Sequence, residues 1–255
     1  MSQGRFVYGV GPVRELVAAR ARTITVLYAA RERATARGKD PVAGLVDTAR
    51  AAGVAVELKS LRELDALVPA EARHQGVIAV TGAYAYAELE ALHAPGPRPP
   101  LVVLLDGIQD PHNLGAIVRS AYVLGATGVV IPEHRASEVT GTATKASAGA
   151  TELLPIARVP NLVRALEELK QAGLWACAVA ATPTARPIAS LDLRGPLALV
   201  IGAEGEGVRP LVARTCDLHA VIPMAETGVG SLNASVAAGI ALYEVARQRA
   251  AITAP

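Results

Sequence analysis

Long apolar runs are missing from this chain. The longest near-continuous ones, such as LVVLL at 101–105, fall far below the roughly 20 residues that a membrane-crossing helix needs. The opening MSQGRFVYGVG has no apolar core of the kind a secretory leader carries, so none is expected. Aromatic residues are equally scarce, at 3% of 255 residues, so the 51% hydrophobic content that must build the core is mostly Ala, Val and Leu. There are only two cysteines, Cys177 and Cys216, in apolar surroundings and without CxxC spacing. They read as reduced thiols of a cytoplasmic protein, neither disulfide nor metal ligands. The five histidines (His74, His93, His112, His134, His219) are scattered without ligand spacing, so no metal is expected. Charge of one sign is lacking as well. A net charge of +2 neither demands nor excludes nucleic acid, because local patches outweigh the total.

Some motifs are absent too. The first strand of the C-terminal half runs into GIQDPHNLG rather than G-x-G-x-x-G, which argues against a dinucleotide fold. No lysine follows the glycine-rich string at 202–207 to make a P-loop, and its two carboxylates would repel phosphate. A serine nucleophile at Ser231 has no G-x-S-x-G elbow around it.

What is present is an alternation of apolar strands with amphipathic helices. HAPGPRPP at 93–100 holds four prolines and a glycine and reads as a linker. It separates residues 1–92, a small α/β unit, from residues 101–255, an α/β unit whose strands should form a mostly parallel sheet with helices on both faces. In the first unit, helices are expected at 9–20, 41–53 and near 61–69, and strands at 23–30, 54–60 and 75–82. In the second, strands are expected at 101–106, 128–132, 174–180, 197–202 and near 218–223. Helices are expected at 113–125, capped by Asn113, at 160–173, and at 231–250, capped by Ser231.

Three blocks sit where buried strands end, which is where α/β proteins bind ligands: DGIQDPHNLGAIVRS at 106–120, LVIGAEGEG at 199–207 and IPMAETGVGSLNAS at 222–235. Their polar members are Asn113, Arg119, Glu204, Ser231 and Asn233, with His112 inside the first block. Read locally, Asn113 and Glu204 could be no more than caps, and Arg119 a solvated charge.

As an ordered set, the blocks resemble the SpoU (TrmH-type) branch of the SPOUT RNA ribose 2′-O-methyltransferases. The matching strings are D-x-x-x-D-P-x-N-x-G-x-x-x-R-S at 106–120, V-I-G-x-E-G-x-G at 200–207 and I-P-M…S-L-N-x-S-x-A at 222–237. F-V-Y-G-V-G-P-V-R-E-L near the start and H-Q-G-V-I-A at 74–79 resemble that family's ribosomal-protein-like RNA-binding module. The resemblance implies S-adenosylmethionine as methyl donor, an RNA substrate, a homodimer and a C-terminal trefoil knot, a topology otherwise nearly absent from proteins. It places the cofactor at Gly202, Ile222, Met224 and Leu232, with the turn after Ala180 beside it. It assigns Asn113, Arg119, Glu204, Ser231 and Asn233 to catalysis. Because a guanidinium ionises above about pH 12, Arg119 is expected to anchor phosphate rather than act as a base. The string 224–231 carries its glycine later than family members do and is one residue longer, which implies an altered cofactor loop. The two-domain layout resembles the 23S rRNA guanosine methyltransferases. Enzymes that methylate a 23S adenosine share it, whereas tRNA enzymes often lack the front module. A non-catalytic RNA-binding or ribosome-assembly protein on the same scaffold is the reading from a different class.

Overall fold

Apolar strand runs punctuated by helix caps set the element order found in the computed structural model, which describes residues 4–36, 40–70, 72–225 and 230–253. By their packing, two units form: Met1–Ala85 with Glu138–Leu153, and Tyr86–Ser137 with Leu154–Pro255.

The first unit is built on β1 (Arg5–Tyr8), α1 (Val10–Arg20), β2 (Ile24–Ala30), α2 (Arg31–Ala34), α3 (Pro41–Ala51), β3 (Val56–Lys59), α4 (Leu61–Asp65) and β4 (Val77–Thr81). Its sheet has the order β1-β4-β2-β3, with β2 and β3 parallel and the other pairs antiparallel. Local chemistry starts the helices. Asp40 accepts from the Val42 N–H ahead of α3, with Pro41 at its first position, and Ser60 and Glu63 form a reciprocal capping box on α4. Leu16, Leu27, Val46 and Val77 fill the core between helices and sheet. Each such burial stabilises by about 1.5–3 kcal/mol.

The second unit starts with β5 (Leu101–Asp106), α5 (Pro111–Val123) and β6 (Gly128–Pro132). The chain then contributes α6 (Gly141–Ala146) to the first unit, where a Cβ on Gly141 would lie 2.0 Å from the Phe6 carbonyl oxygen. It returns through β7 (Ile156–Val159), α7 (Leu162–Gln171), β8 (Trp175–Val179), β9 (Arg186–Pro187), β10 (Leu197–Gly202), α8 (Pro210–Thr215), β11 (Leu218–Val221) and α9 (Ala234–Thr253). Seven strands run parallel in the order β7-β6-β5-β10-β8-β11-β9. All six residues of β5 are buried, as a strand covered on both faces requires.

Most expected elements lie where the sequence placed them, and the departures have physical causes. The packing boundary falls at residue 85 rather than 92, because Leu89 and Leu92 are buried in the core of the second unit. Six elements went unread: β1, α2, α6, β7, β9 and α8. The inward face of α6 and the turn after it is made of hydroxyls, with Thr151 bonded to Thr144 at 3.1 Å and the Ser147 hydroxyl to the Thr144 carbonyl at 2.9 Å. Such a face has no apolar periodicity to detect. It closes over Glu152, a buried carboxylate that accepts from Arg5 at 2.8 Å. Neither helix cap expected in the second unit is the observed one. Asp110, not Asn113, caps α5 by accepting from the His112 N–H at 2.9 Å, with Pro111 as the first helical residue. The last helix begins at Ala234, three residues later than expected, so Ser231 does not cap it.

Both cysteines are free. Burial pushes each thiol up to about 12, so neither is a nucleophile near neutrality. Among the described residues, no helix is long and apolar enough to cross a membrane.

Candidate active site

From β5 the sheet grows one way through β6 and β7, and from β10 the other way through β8 and β11. The reversal between β5 and β10 opens a crevice at their carboxyl ends, the usual ligand position in open parallel sheets. The first two sequence blocks are the loops that leave these strands.

Gly202 ends β10 where a Cβ would come within 2.1 Å of the Gly207 carbonyl carbon, so the turn 203–207 folds back against it. Gly205 and Gly207 take φ of +76° and +66°, a left-handed backbone that only glycine adopts readily. The Gly207 N–H closes the turn on the Ala203 carbonyl at 2.9 Å. Glu204 projects from this turn. It accepts from Asn113 Nδ2 at 2.9 Å, from Asn233 Nδ2, and more weakly from the Ala234 N–H at 3.4 Å. Asn233 Nδ2 also donates to Asn113 Oδ1 at 3.1 Å. One carboxylate and two carboxamides, from three distant blocks, therefore close a triangle.

Each corner is placed by its own element. Asp110 sets the first turn of α5 and with it Asn113. Asn233 caps α9, its Oδ1 accepting from the Ser235 N–H at 2.9 Å and the Val236 N–H at 3.4 Å. With Oδ1 committed to the helix, its Nδ2 is free for the other two corners.

Two clefts meet at this triangle and share Ala203, Glu204, Gly207 and Ala234. The more apolar one gathers Gly202, Ile222, Met224 and Leu232, along with Ala180, Ala181 and Ser231. Every residue expected around the cofactor thus lines one cavity. Val179, Ile201, Ala220 and Ala237 also line it, an apolar surface suited to an adenine ring, while strand ends leave backbone groups outside the ladder. Of the lengthened third-block loop, residues 226–229 lie outside the described residues. The other cleft is the more polar of the two and lies between the loops after β5 and β10.

Arg119 is not brought to the triangle. It stands exposed on α5 and lines neither cleft, with Tyr122 and Val123 one turn further on and also exposed. His112 is exposed as well and lines neither cleft.

The sequence reading missed a pair in the polar cleft. Asp106, its side chain 0% exposed, accepts from the Arg209 N–H at 2.8 Å and from Arg209 Nε at 2.6 Å. A signal existed: a carboxylate that ends an otherwise apolar buried strand must be paired. Nothing in the sequence says which cation, 103 residues away, would do it.

With this geometry in place, comparisons with known proteins bear on both units. The SpoU rRNA methylase family model matches residues 100–243. A second model, described as RNA 2′-O ribose methyltransferase substrate binding, matches residues 6–87. The chain is 40% identical over 252 residues to the 23S rRNA (guanosine-2′-O-)-methyltransferase RlmB of Pseudomonas aeruginosa, covering 98% of each. To the protein of the same name from Ralstonia nicotianae it is 39% identical over 255 residues, covering 100% of each. Among solved structures it is similar to the SpoU methyltransferase AviRb from Streptomyces viridochromogenes, with a TM-score of 0.80 and 26% identity over 98% of this chain and 91% of that one. The complex of AviRb with AdoMet matches with a TM-score of 0.78 and 28% identity, over 96% of this chain and 90% of that one.

Proposed function

This chain belongs to the SpoU rRNA methylase family, and on that premise we propose that it transfers a methyl group from S-adenosylmethionine to the ribose 2′-OH of a 23S rRNA guanosine. The observation that carries the reading is the triangle of Asn113, Glu204 and Asn233, which stands where the apolar and polar clefts meet.

S-adenosylmethionine, when bound, supplies an activated methyl on a sulfonium centre. Gly202, Ile222, Met224 and Leu232 would hold it in the apolar cleft, with Ser231 at the rim. Glu204, Asn113 and Asn233 would orient the ribose hydroxyl for in-line attack. Much of the acceleration is expected from such positioning, because a well-oriented pair reacts as though at very high concentration. The N-terminal unit would supply RNA contacts, a role supported by the substrate-binding family model on residues 6–87. A trefoil knot in the C-terminal unit fits the return of residues 230–232 to the cleft also lined by residues 180–181 and 202–205.

A homodimer completes the proposal. On α9, Val236, Ile240 and Tyr243 are exposed at helical spacing, and on α5, which packs against α9, Tyr122 and Val123 are exposed too. Exposed apolar side chains at helical spacing on two packed helices support an association surface here. Arg119 lies on its α5 flank, so pairing two copies through it would bring this guanidinium to the interface and to RNA phosphate bound there. In light scattering, the wild-type protein should run as a dimer and Ile240→Asp as a monomer. A wild-type monomer at micromolar concentration would reject the pairing.

The test of the reaction uses unmodified 23S rRNA transcript, S-adenosylmethionine labelled on its methyl, and complete nuclease digestion. Label is expected in 2′-O-methylguanosine; label on a base, or none in RNA, overturns the proposal. Arg119→Ala should slow transfer about 10- to 100-fold while cofactor affinity by calorimetry stays unchanged. Equal loss of both would contradict an RNA-anchoring role.

A further inference from the structure

The polar cleft beside the triangle holds four carboxylates (Asp106, Asp110, Glu204 and Glu206) and two guanidiniums, those of Arg135 and Arg209. An acid excess does not suit a phosphate. Three of the acids are already committed: Asp106 to Arg209, Asp110 to the first turn of α5, and Glu204 to the two asparagines. Glu206 is exposed, and its carboxylate makes no hydrogen bond or ion pair with the described residues. In the turn that carries it, the Glu206 N–H bonds the Glu204 carbonyl at 2.9 Å and the glycines on either side hold left-handed conformations. Arg209 has its Nε on buried Asp106, which fixes the plane of the fork, while its two terminal nitrogens have no partner among the described residues.

A free carboxylate and an oriented guanidinium fork in one cleft, next to the groups that would hold the ribose, form a donor–acceptor pattern. We infer that this cleft receives the base of the target nucleotide and that it is built for guanine. Glu206 accepts from the ring imino N–H and the 2-amino group, and Arg209 donates to the 6-oxo and 7-nitrogen edge. Arginine reads that guanine edge bidentately. Adenine would place an unprotonated ring nitrogen against the Glu206 carboxylate and, while keeping the 7-nitrogen, an amino group against one of the Arg209 donors, so one contact becomes repulsive and the other is half lost. Cytosine offers the carboxylate an amino group but has no 7-nitrogen for the fork. The inference rests on the methyltransferase reading and adds the residues that select the base.

The experiment first maps the nucleotide methylated in unmodified 23S rRNA transcript, then compares transcripts with guanosine or adenosine at that position. The wild type should methylate the guanosine transcript preferentially. Glu206→Gln, at an exposed position without partners, should lower kcat/KM on it and shrink the guanosine-over-adenosine ratio about 10- to 100-fold. S-adenosylmethionine affinity by calorimetry should not change. Arg209→Lys, which keeps a cation on Asp106 but removes the fork, should shrink the same ratio without lowering the melting temperature. An unchanged ratio in Glu206→Gln, or a mapped nucleotide other than guanosine, overturns the base pocket while leaving the methyltransferase standing. Absence of any wild-type methylation of rRNA removes the enzymatic reading, and the pocket with it.

Discussion

Gly202→Ala is expected to abolish measurable S-adenosylmethionine binding and methyl transfer together. The added Cβ would lie 2.1 Å from the Gly207 carbonyl carbon, 2.3 Å from its oxygen and 2.3 Å from the Val208 nitrogen. All three are backbone atoms, so no side-chain rotation relieves the clash and the turn 203–207 must move. Overpacking of this kind typically costs about 1–3 kcal/mol, which a unit with so large an aliphatic core can absorb while staying folded. What it cannot keep is the site, because Ala203, Glu204 and Gly207 line both clefts. Circular dichroism should therefore show a folded protein whose melting point is lowered by a few degrees. Calorimetry should show no cofactor heat where the wild type binds. Full cofactor affinity in a folded Gly202→Ala protein would mean that the turn is not part of the cofactor site.

Glu204→Ala should separate catalysis from folding more cleanly. The carboxylate is exposed and serves as shared acceptor for Asn113 and Asn233, so its removal lets water take those donors. The net loss of stability should stay near 1 kcal/mol, the usual worth of such hydrogen bonds. The single-turnover rate should fall about 100- to 1000-fold, because the two asparagines lose the group that fixes their orientation. All three donors meet Glu204 at Oε1, so Glu204→Gln keeps the acceptor and loses only the charge, and it should recover part of the rate. A rate within a fewfold of wild type for both variants would remove the triangle from the mechanism.

Strands and helices were legible here to the extent that their buried faces were apolar. Runs such as Leu101–Leu105, and the spacing of Leu162, Ala165, Leu166 and Leu169 behind the Asn161 cap, announce their elements through local chemistry alone. Caps were harder where several capping residues crowd together. Asp110 and Asn113 both precede apolar turns, and Pro111 was the cue that favours Asp110. Ser231 and Asn233 posed the same choice, and the helix took Asn233. Helix α6 escaped because its inward face satisfies itself through hydroxyl hydrogen bonds rather than apolar contact.

The order and identity of the three motif blocks were enough to name the family, the methyl donor and the class of RNA chemistry, since those depend on residue types at fixed spacing. Which of the motif residues meet was decided by folding. Asn113, Glu204 and Asn233 are up to 120 positions apart, and it is the strand order that places β5 beside β10 and closes the triangle. The same closure left Arg119 outside it, on the flank of an apolar helix face. It also paired Asp106 with Arg209 and left the Glu206 carboxylate beside them without a partner among the described residues. Local propensity acts over a few residues, whereas a site with two clefts depends on distances that exist only after the sheet has assembled.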